Sequence, residues 1–347
     1  MSEALDGFCS QIRAPSTRTA RLWEVRQLTR ARPLRSLGSL DALAERVAVI
    51  LGDADPGPLP AVVSVIAGDH GVAKKGVSRF LHGTTSSVFS LISSGDAPVN
   101  HLAARVPARV EVADFGMANT VGTRRYKVAN GTEDLSVRDA MTVDQARDAV
   151  ANGASFAEER LLRGFSALGV GEIGVGNTTS AAALTARLLG LPATAVVGPG
   201  AGSGAESVER KVGLVETALV RTENHPDDPL RLLAALGGFE ICGNVGVILA
   251  AARAGRVVVL DGFITGVSAL VATRLCPDAA GYLVAAHRST EPAHEFVLDE
   301  LGLRPLLDLD MRLGMASGAA ITLGLINTVL SVCAYTPAAA KVGLAIR

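Results

Sequence analysis

The segment Val170–Ala183 reads V-G-E-I-G-V-G-N-T-T-S-A-A-A and predicts a strand that turns directly into a helix. Glycines in such a turn let a ligand approach the backbone closely. Asn177 and Thr178 are of residue types that cap helices, and a helix N-terminus offers free N–H groups to a phosphate. The segment also carries a carboxylate, Glu172. For this segment alone, a capped turn without a ligand explains the pattern equally well.

Short apolar runs that end in turns recur along the chain and predict further strands. The predicted strands are Ala61–Ala67, Arg109–Asp114, Leu168–Gly171, Ala193–Val197 and Val257–Leu260. Helical stretches separate them, and the clearest is Leu37–Leu51, whose apolar residues form one stripe. This alternation predicts repeated βαβ units and therefore an α/β fold on a parallel sheet. In such sheets, ligands bind at the carboxyl ends of the strands.

Composition and charge exclude several classes of partner. The 347 residues are 48% hydrophobic but only 4% aromatic, which favours close packing of helices on a sheet. The formal net charge is −1 and the isoelectric point is about 6.6. Neither nucleic acid nor an anionic membrane surface has electrostatic support as a partner. The apolar stretch Gly318–Ala334 contains several polar residues and is short for a span, so we expect a buried or interface helix.

The cysteines and the N-terminal residues indicate a cytoplasmic protein. The four cysteines lie far apart in the sequence, and their spacing shows neither a metal site nor a disulfide framework. A reducing compartment is therefore expected. The stretch Met1–Arg35 is too polar and too charged to contain the apolar region of a signal peptide.

Six further motifs accompany the opening segment and extend over nearly the whole chain. The motifs, in order, are SLGSLDALA (Ser36–Ala44), AGDHGVAKKGVS (Ala67–Ser78), GEIGVGNTTSAAA (Gly171–Ala183), GPGAGSG followed by Lys211, LGGFEICGNVGVILAAARAGRVVVLDGF (Leu236–Phe263), AHRSTEP (Ala286–Pro292) and MRLGMASGAA (Met311–Ala320). In this set and order the chain resembles the nicotinate-nucleotide:dimethylbenzimidazole phosphoribosyltransferase family. Members of that family transfer phosphoribose from nicotinate mononucleotide to a nitrogen of an aromatic base and release nicotinate.

The resemblance implies an architecture as well as a reaction. It implies a parallel Rossmann-like sheet with helices on both faces, and a smaller helical domain built from both chain ends. Residues 1–60 would form the N-terminal part of the small domain, residues 61–305 the large α/β domain, and residues 306–347 the C-terminal helices with a dimer interface. A homodimer is expected, and neither a cofactor nor a metal ion is implied.

The donor site is expected where the glycine-rich turns meet. The expected donor-binding residues are Gly174, Gly176, Asn177, Thr178, Gly200, Gly202, Lys211 and Asp261. Lys211 is one of only five lysines, so we expect a point charge for the phosphate, although a solvated residue on a helix face is the alternative. Glu172 is expected to face the ribose, where positive charge grows during transfer. Asp261 has the same position in its own βα unit, with a helix cap as its alternative.

The acceptor site departs from the family pattern R-L-G-E-G-[ST]-G-A, whose glutamate is the general base. In this chain Met315 replaces that glutamate and Ala316 replaces the following glycine. A methionine cannot accept a proton. The expected acceptor-pocket residues are Asp69, His70, Phe80, Val88, Leu313 and Met315, a set more apolar than the family norm. His82 is a candidate replacement base, because a neutral histidine suits that role near pH 7. His287 and His294 are expected only to hydrogen-bond a loop and a helix start.

Three functions are compatible with this pattern. The first is a phosphoribosyltransferase with a dimethylbenzimidazole-like acceptor or a non-standard one, such as a phenol or another base. The second is a catalytically weakened nucleotide-binding subunit that supports an active paralogue in a heterodimer. The third is ordinary lower-ligand synthesis for cobalamin with a relocated base.

Overall fold

The computed structural model describes residues 7–81, 83–200 and 204–343, which fold around one parallel sheet. The described strands pair in the order β2-β1-β3-β4-β5, and every pairing is parallel. The strands are β1 (Ala61–Gly68), β2 (Ala108–Gly116), β3 (Ala167–Ile173), β4 (Val257–Leu260) and β5 (Leu283–Ala285). Strands β1 and β3 are buried at every position, as their runs of β-branched and small residues predict for a sheet covered on both faces.

The strand order creates a crevice at the carboxyl ends of β1 and β3. The order 2-1-3-4-5 is that of flavodoxin-like doubly wound sheets, in which the order of the strands reverses between β1 and β3. Glu172 lies in β3 opposite Ile66 of β1, close to the end of both strands. The crevice therefore opens beside the carboxylate that the sequence singles out, and the expected Rossmann-like α/β class is confirmed.

Helices cover both faces of the sheet. The helices are α1 (Arg18–Leu28), α2 (Ser39–Leu51), α3 (Thr84–Ser94), α4 (Pro98–Ala103), α5 (Val143–Leu162), α6 (Asn177–Leu189), α7 (Ala193–Val196), α8 (Ala205–Thr222), α9 (Pro229–Leu236), α10 (Phe239–Arg253), α11 (Phe263–Leu275), α12 (Ala293–Glu300) and α13 (Ser317–Tyr335). Helix α13 lies on one face, where a Cβ on Gly169 would come within 3.3 Å of Ala319. Helix α10 lies on the other face, against Ile66 of β1.

The two ends of the chain meet in one helical layer. Helices α1 and α2 pack together, and α2 also contacts α13. A nearly buried ion pair of 2.7 Å between Arg32 and Asp41 stabilises this layer. Helix α13 is apolar and long enough to cross a membrane, but 61% of its most apolar window is buried inside the fold. The division into domains at residues 60 and 305 stays a prediction.

The structure corrects two predicted strands. Ala193–Val197 is not a strand, because Ala193–Val196 forms the short helix α7. Pro192 precedes it with φ −69°, and its fixed φ angle favours the start of a helix. The fifth strand is Leu283–Ala285, which no pattern predicts. Strand β3 also continues past Gly171 to Ile173, so Glu172 lies within the strand.

The expectation that the cysteines form no disulfide framework is wrong for one pair. Cys9 and Cys276 form a disulfide bond, with their Cα atoms 5.4 Å apart. The two residues are 267 positions apart in the sequence, so no local spacing could reveal the pairing. With this bond present, the cysteines no longer argue for a reducing compartment. Cys242 and Cys333 are buried free thiols.

Candidate active site

A cavity of about 340 Å³ opens at the carboxyl ends of β3, β4 and β5. This volume lies within the usual range for small-molecule sites. The cavity collects most of the residues that the sequence assigned to donor and acceptor binding. Its lining includes Phe80, Val88, Glu172, Gly174, Gly176, Asn177, Thr178, Gly200, Lys211, Asp261, Leu313 and Met315.

Lys211 is a buried cation at one end of the cavity, which we call the donor end. The residue is only 2% exposed, and its Nζ donates to the carbonyl of Gly198 at 3.3 Å. Burial lowers the pKa of Lys211, although the negative charge of Glu291 opposes this effect. The alternative of a solvated lysine on a helix face therefore does not hold.

Gly200 closes the donor end together with Glu291. Gly200 has φ 62°, and a Cβ on it would lie 2.8 Å from Lys211 Nζ. Its N–H donates to Glu291 Oε1 at 2.7 Å. Burial raises the pKa of Glu291, while the Gly200 N–H and the charge of Lys211 lower it. The donor end is thus a rigid cradle of one cation, one carboxyl group and a glycine turn.

The turn Gly174–Thr178 positions the N-terminus of α6 at the cavity. Gly176 has φ 94° and occupies the N-cap position, so Asn177 is the first helical residue rather than the cap. A Cβ on Gly174 would lie 2.2 Å from the carbonyl oxygen of Gly68, which requires glycine at this position. The side chains of Asn177 and Thr178 both line the cavity.

Glu172 is a buried carboxyl group between the two ends of the cavity. The Nδ2 of Asn177 donates to Oε2 of Glu172, which fixes the orientation of the carboxyl group. Burial, together with the negative charges of Glu240 and Asp261, raises the pKa of Glu172 to about 8. Glu172 is therefore mostly protonated at neutral pH and becomes a carboxylate as the pH approaches 8.

Asp261 and His287 form a second polar group in the cavity wall. Oδ1 of Asp261 accepts hydrogen bonds from the N–H groups of Gly318 and Ala319 at 2.7 and 3.1 Å, at the N-terminus of α13. Burial raises the pKa of Asp261, although His287 opposes this effect. His287 Nδ1 lies 3.8 Å from the same oxygen. Asp261 thus combines the helix-cap role with a position in the cavity.

Apolar side chains line the other end of the cavity, which we call the acceptor end. These side chains are Val77, Phe80, Val88, Leu313 and Met315. Phe80 is 48% exposed and Leu313 is 50% exposed, so this wall opens to solvent. The loop next to it is unusual, because Gly314, Met315 and Ala316 all have left-handed φ angles of 76°, 57° and 60°.

Four predicted site residues are not found among the described cavity residues. Asp69 lies behind the wall, where its carboxylate accepts from Thr85 Oγ1 and from the N–H of Ala118. His70 also lies behind the wall, with Nε2 2.6 Å from Glu240 Oε1. His82 and Gly202 lie outside the described residues.

Among the lining residues that the sequence reasoning missed are His287, Ser289, Glu291 and Arg312. The first three follow β5, which has only three residues and gave no strand signal. The motif AHRSTEP was the one available sign of their importance. His294 has the structural role that was expected, because its Nδ1 accepts from the N–H of Ser289 and burial lowers its pKa to about 3.

Comparisons with known proteins agree on one family. A family model described as phosphoribosyltransferase matches residues 12–342. The nicotinate-nucleotide–dimethylbenzimidazole phosphoribosyltransferase of Chloroflexus aggregans is 42% identical over 304 residues, which cover 86% of each chain. The enzyme of that name from Syntrophobacter fumaroxidans is 38% identical over 336 residues, which cover 95% of each chain. A crystal structure of CobT from Thermus thermophilus matches with a TM-score of 0.90 and 36% identity, covering 95% of this chain and 100% of the other.

Proposed function

Because the chain belongs to the nicotinate-nucleotide–dimethylbenzimidazole phosphoribosyltransferase family, we propose that it transfers phosphoribose from nicotinate mononucleotide to an aromatic acceptor. The transfer releases nicotinate. The observation that carries this proposal is the division of a single cavity into a buried cationic cradle and an apolar wall, with Glu172 between them. The acceptor is a base of the dimethylbenzimidazole type.

The donor phosphate binds at the donor end. Lys211 supplies the positive charge, and the N-terminus of α6 at Asn177 and Thr178 supplies N–H groups and the positive end of the helix dipole. Phosphate binding would neutralise a cation that burial otherwise disfavours. The donor end therefore offers both the charge and the N–H groups that a phosphate needs.

The ribose lies between the two ends, beside Asp261 and Glu172. Positive charge develops on the ribose as its bond to nicotinate breaks. A fixed carboxylate next to that carbon stabilises the charge. Asp261 is held for this role by two backbone N–H groups of α13.

The acceptor ring fills the space between Phe80, Val88, Leu313 and Met315. These side chains offer apolar surface and few hydrogen bonds, so ring shape and burial dominate recognition. A substituted benzimidazole fits this chemistry, and a phenol or another aromatic base remains the second candidate because Met315 cannot hydrogen-bond strongly. The comparisons do not support the alternative of a weakened subunit that serves a paralogue.

Two further properties belong to this proposal. We propose a homodimer, which the family resemblance implies, with nicotinate mononucleotide and the aromatic acceptor as the two small-molecule partners. We also propose a cytoplasmic location, in keeping with a reaction on metabolites.

Binding calorimetry with nicotinate mononucleotide tests the donor site. Lys211→Ala should weaken donor binding about ten-fold or more, since charge-assisted contacts contribute about 1.5–3 kcal/mol. Lys341→Ala is the matched control, because Lys341 is exposed and does not line the cavity. Equal affinity in the wild type and in Lys211→Ala would remove Lys211 from the site. A wild type that binds no donor, or releases no nicotinate with any aromatic acceptor, would overturn the proposed function.

A further inference from the structure

We propose that Glu172 accepts the acceptor's proton in this chain, in place of the carboxylate that the family pattern has at position 315. This inference rests on the proposed function and assigns a specific step to one residue. From the sequence, Glu172 is expected to face the ribose, and His82 is the candidate replacement base. The structure also brings Glu172 against the loop that carries Met315.

The contact between Glu172 and this loop is direct. The N–H of Met315 donates to the backbone carbonyl of Glu172 at 3.2 Å. A Cβ on Gly314 would lie 3.2 Å from Glu172 Oε1. The side chains of Glu172 and Met315 both line the cavity. A carboxyl group thus remains beside the acceptor even though position 315 has lost one.

The surroundings of Glu172 suit a base that works near neutral pH. Asn177 donates to Oε2, which favours the ionised form and leaves Oε1 next to the Gly314 loop. Burial keeps the pKa of the carboxyl group near 8, so it holds a transferred proton well. A general base is most effective when its pKa lies near the working pH.

The other titratable groups around the cavity are less suited to this step. Asp261 uses Oδ1 to accept the N–H groups of Gly318 and Ala319, so this oxygen is already occupied and cannot take the acceptor's proton. Glu240 is paired with His70 behind the wall. Lys211 lies at the donor end, and the guanidinium group of Arg312 has no acceptor atom for a proton. Glu291 is held at the donor end by the N–H of Gly200. Among the residues that the structure describes, His287, which faces Asp261, is the remaining competitor.

The step balances as follows. A ring nitrogen of the acceptor attacks C1′ of the donor ribose, and the bond from C1′ to the nicotinate nitrogen breaks with its electron pair remaining on nicotinate. The acceptor's N–H proton moves to the ionised carboxylate of Glu172. Water takes that proton once the product has left. The net products are nicotinate, the ribosylated acceptor and one proton.

The first test is the dependence of kcat on pH, with nicotinate mononucleotide and dimethylbenzimidazole as substrates. The wild-type kcat should rise about ten-fold per pH unit from pH 6.5 and level off near pH 8. Glu172→Gln should reduce kcat at pH 8 by about 10²–10⁴-fold and remove this rise. Glu206→Gln, an exposed residue of α8, should change neither.

The second test is rescue from position 315. In the Glu172→Gln background, Met315→Glu should raise kcat at least ten-fold. The value of kcat should then level off at a lower pH than in the wild type. Met315→Gln in the same background has nearly the same shape but no base, and should restore nothing. A purely structural role of Glu172 would not be rescued by a carboxylate on another residue.

Donor calorimetry separates this inference from the proposed function. Glu172→Gln should still bind nicotinate mononucleotide measurably, because Lys211 and the N-terminus of α6 are unchanged, and this binding shows that the variant is folded. A Glu172→Gln variant that keeps the wild-type kcat and pH dependence would overturn the assignment. A pH dependence that survives in Glu172→Gln but disappears in His287→Asn would give the role to His287. A wild type that does not bind the donor would refute the proposed function instead.

Discussion

The donor end of the cavity consists of buried charged side chains, whereas the acceptor end consists of half-exposed apolar ones. At the donor end, Lys211 is 2% exposed and Glu291 is 7% exposed, and backbone groups hold both side chains in place. At the acceptor end, Phe80 and Leu313 are about half exposed and have apolar neighbours. A phosphate always needs charge and N–H groups, whereas an aromatic acceptor can be held by many apolar shapes. The acceptor end is therefore where the sequence can diverge while the donor end stays fixed.

The backbone shows the same contrast. At the donor end, the left-handed positions are occupied by glycines, Gly176 and Gly200, which adopt them at little cost. At the acceptor end, Met315 and Ala316 adopt left-handed angles, which cost about 1–2 kcal/mol for each residue with a Cβ. Such cost persists only where the surroundings fix the conformation, and it concentrates at functional sites.

The largest expected effect is on the free energy of unfolding, which should depend on pH because Glu172 is buried. Burial raises its pKa from 4.5 to about 8, so the folded chain keeps this proton while the unfolded chain releases it. Stability should therefore fall as pH rises from 4.5 to 8, by about 1.4 kcal/mol per pH unit, or about 5 kcal/mol in total. Glu172→Gln should remove this loss. Urea unfolding at pH 4.5 and pH 8.5 measures the difference.

The corresponding substitution at the donor end should lower stability instead of raising it. Glu291→Gln leaves Lys211 buried without its counter-charge, and should lower the free energy of unfolding at neutral pH. Exposed Glu206→Gln should change the stability by less than about 0.5 kcal/mol. If the wild type and Glu172→Gln show parallel stability curves between pH 4.5 and 8.5, the carboxyl group is not held protonated by the fold.

The next effect concerns the activity of the acceptor end at lower pH. With a pKa of about 8, Glu172 is ionised in about one molecule in thirty at pH 6.5, so wild-type transfer to dimethylbenzimidazole should be slow there. Met315→Glu with Ala316→Gly supplies an ionised carboxylate and should raise kcat about ten- to thirty-fold at pH 6.5. The gain should shrink above pH 8, where Glu172 itself is ionised.

The control for this gain is Met315→Gln with Ala316→Gly, which relieves the same backbone angle without adding a base. An equal gain in both double variants would show that the loop conformation, not the missing carboxylate, limits the rate. A wild type that is already fast at pH 6.5, at about 1 s⁻¹ or more, would show that the loss of the glutamate carries no cost.

More of the expected donor residues than of the expected acceptor residues line the cavity, and the reasons are physical. Gly174, Gly176, Asn177 and Thr178 are contiguous, so one local pattern contained the turn and the helix start. Most strands of the sheet could also be predicted, because buried parallel strands are continuous apolar runs. Lys211 was found through the family motif that it follows, and the rarity of lysine in this chain supported the assignment.

Other features depend on tertiary contacts that no local pattern contains. Strand β5 has three residues, too few for a periodicity, so the cavity positions of His287 and Glu291 went unseen. Asp69 follows β1 in the expected turn, yet its carboxylate accepts from Ala118 behind the wall rather than facing the cavity. The left-handed angle of Met315 contradicts the usual preference of that residue, and only the packed loop imposes it.

The smallest expected effect separates the two ends at the level of substrate binding. Phe80 lines the acceptor end and is 48% exposed, so an acceptor ring can bury the remaining half of its side chain. Full burial of a phenylalanine is worth about 1.5–3 kcal/mol, and half of that corresponds to roughly a five-fold effect. Phe80→Ala should raise the KM for dimethylbenzimidazole about five-fold and leave the donor affinity unchanged.

The neighbouring Leu81 provides a matched control for this substitution. Leu81 is 81% exposed and is not among the described residues that line the cavity, so Leu81→Ala should leave both constants unchanged. A Phe80→Ala variant that weakens donor binding as much as acceptor binding would contradict the division of the cavity, because Lys211 and Phe80 would then act on one ligand. A rise in the acceptor KM alone would show that the acceptor end binds the acceptor independently of the donor end.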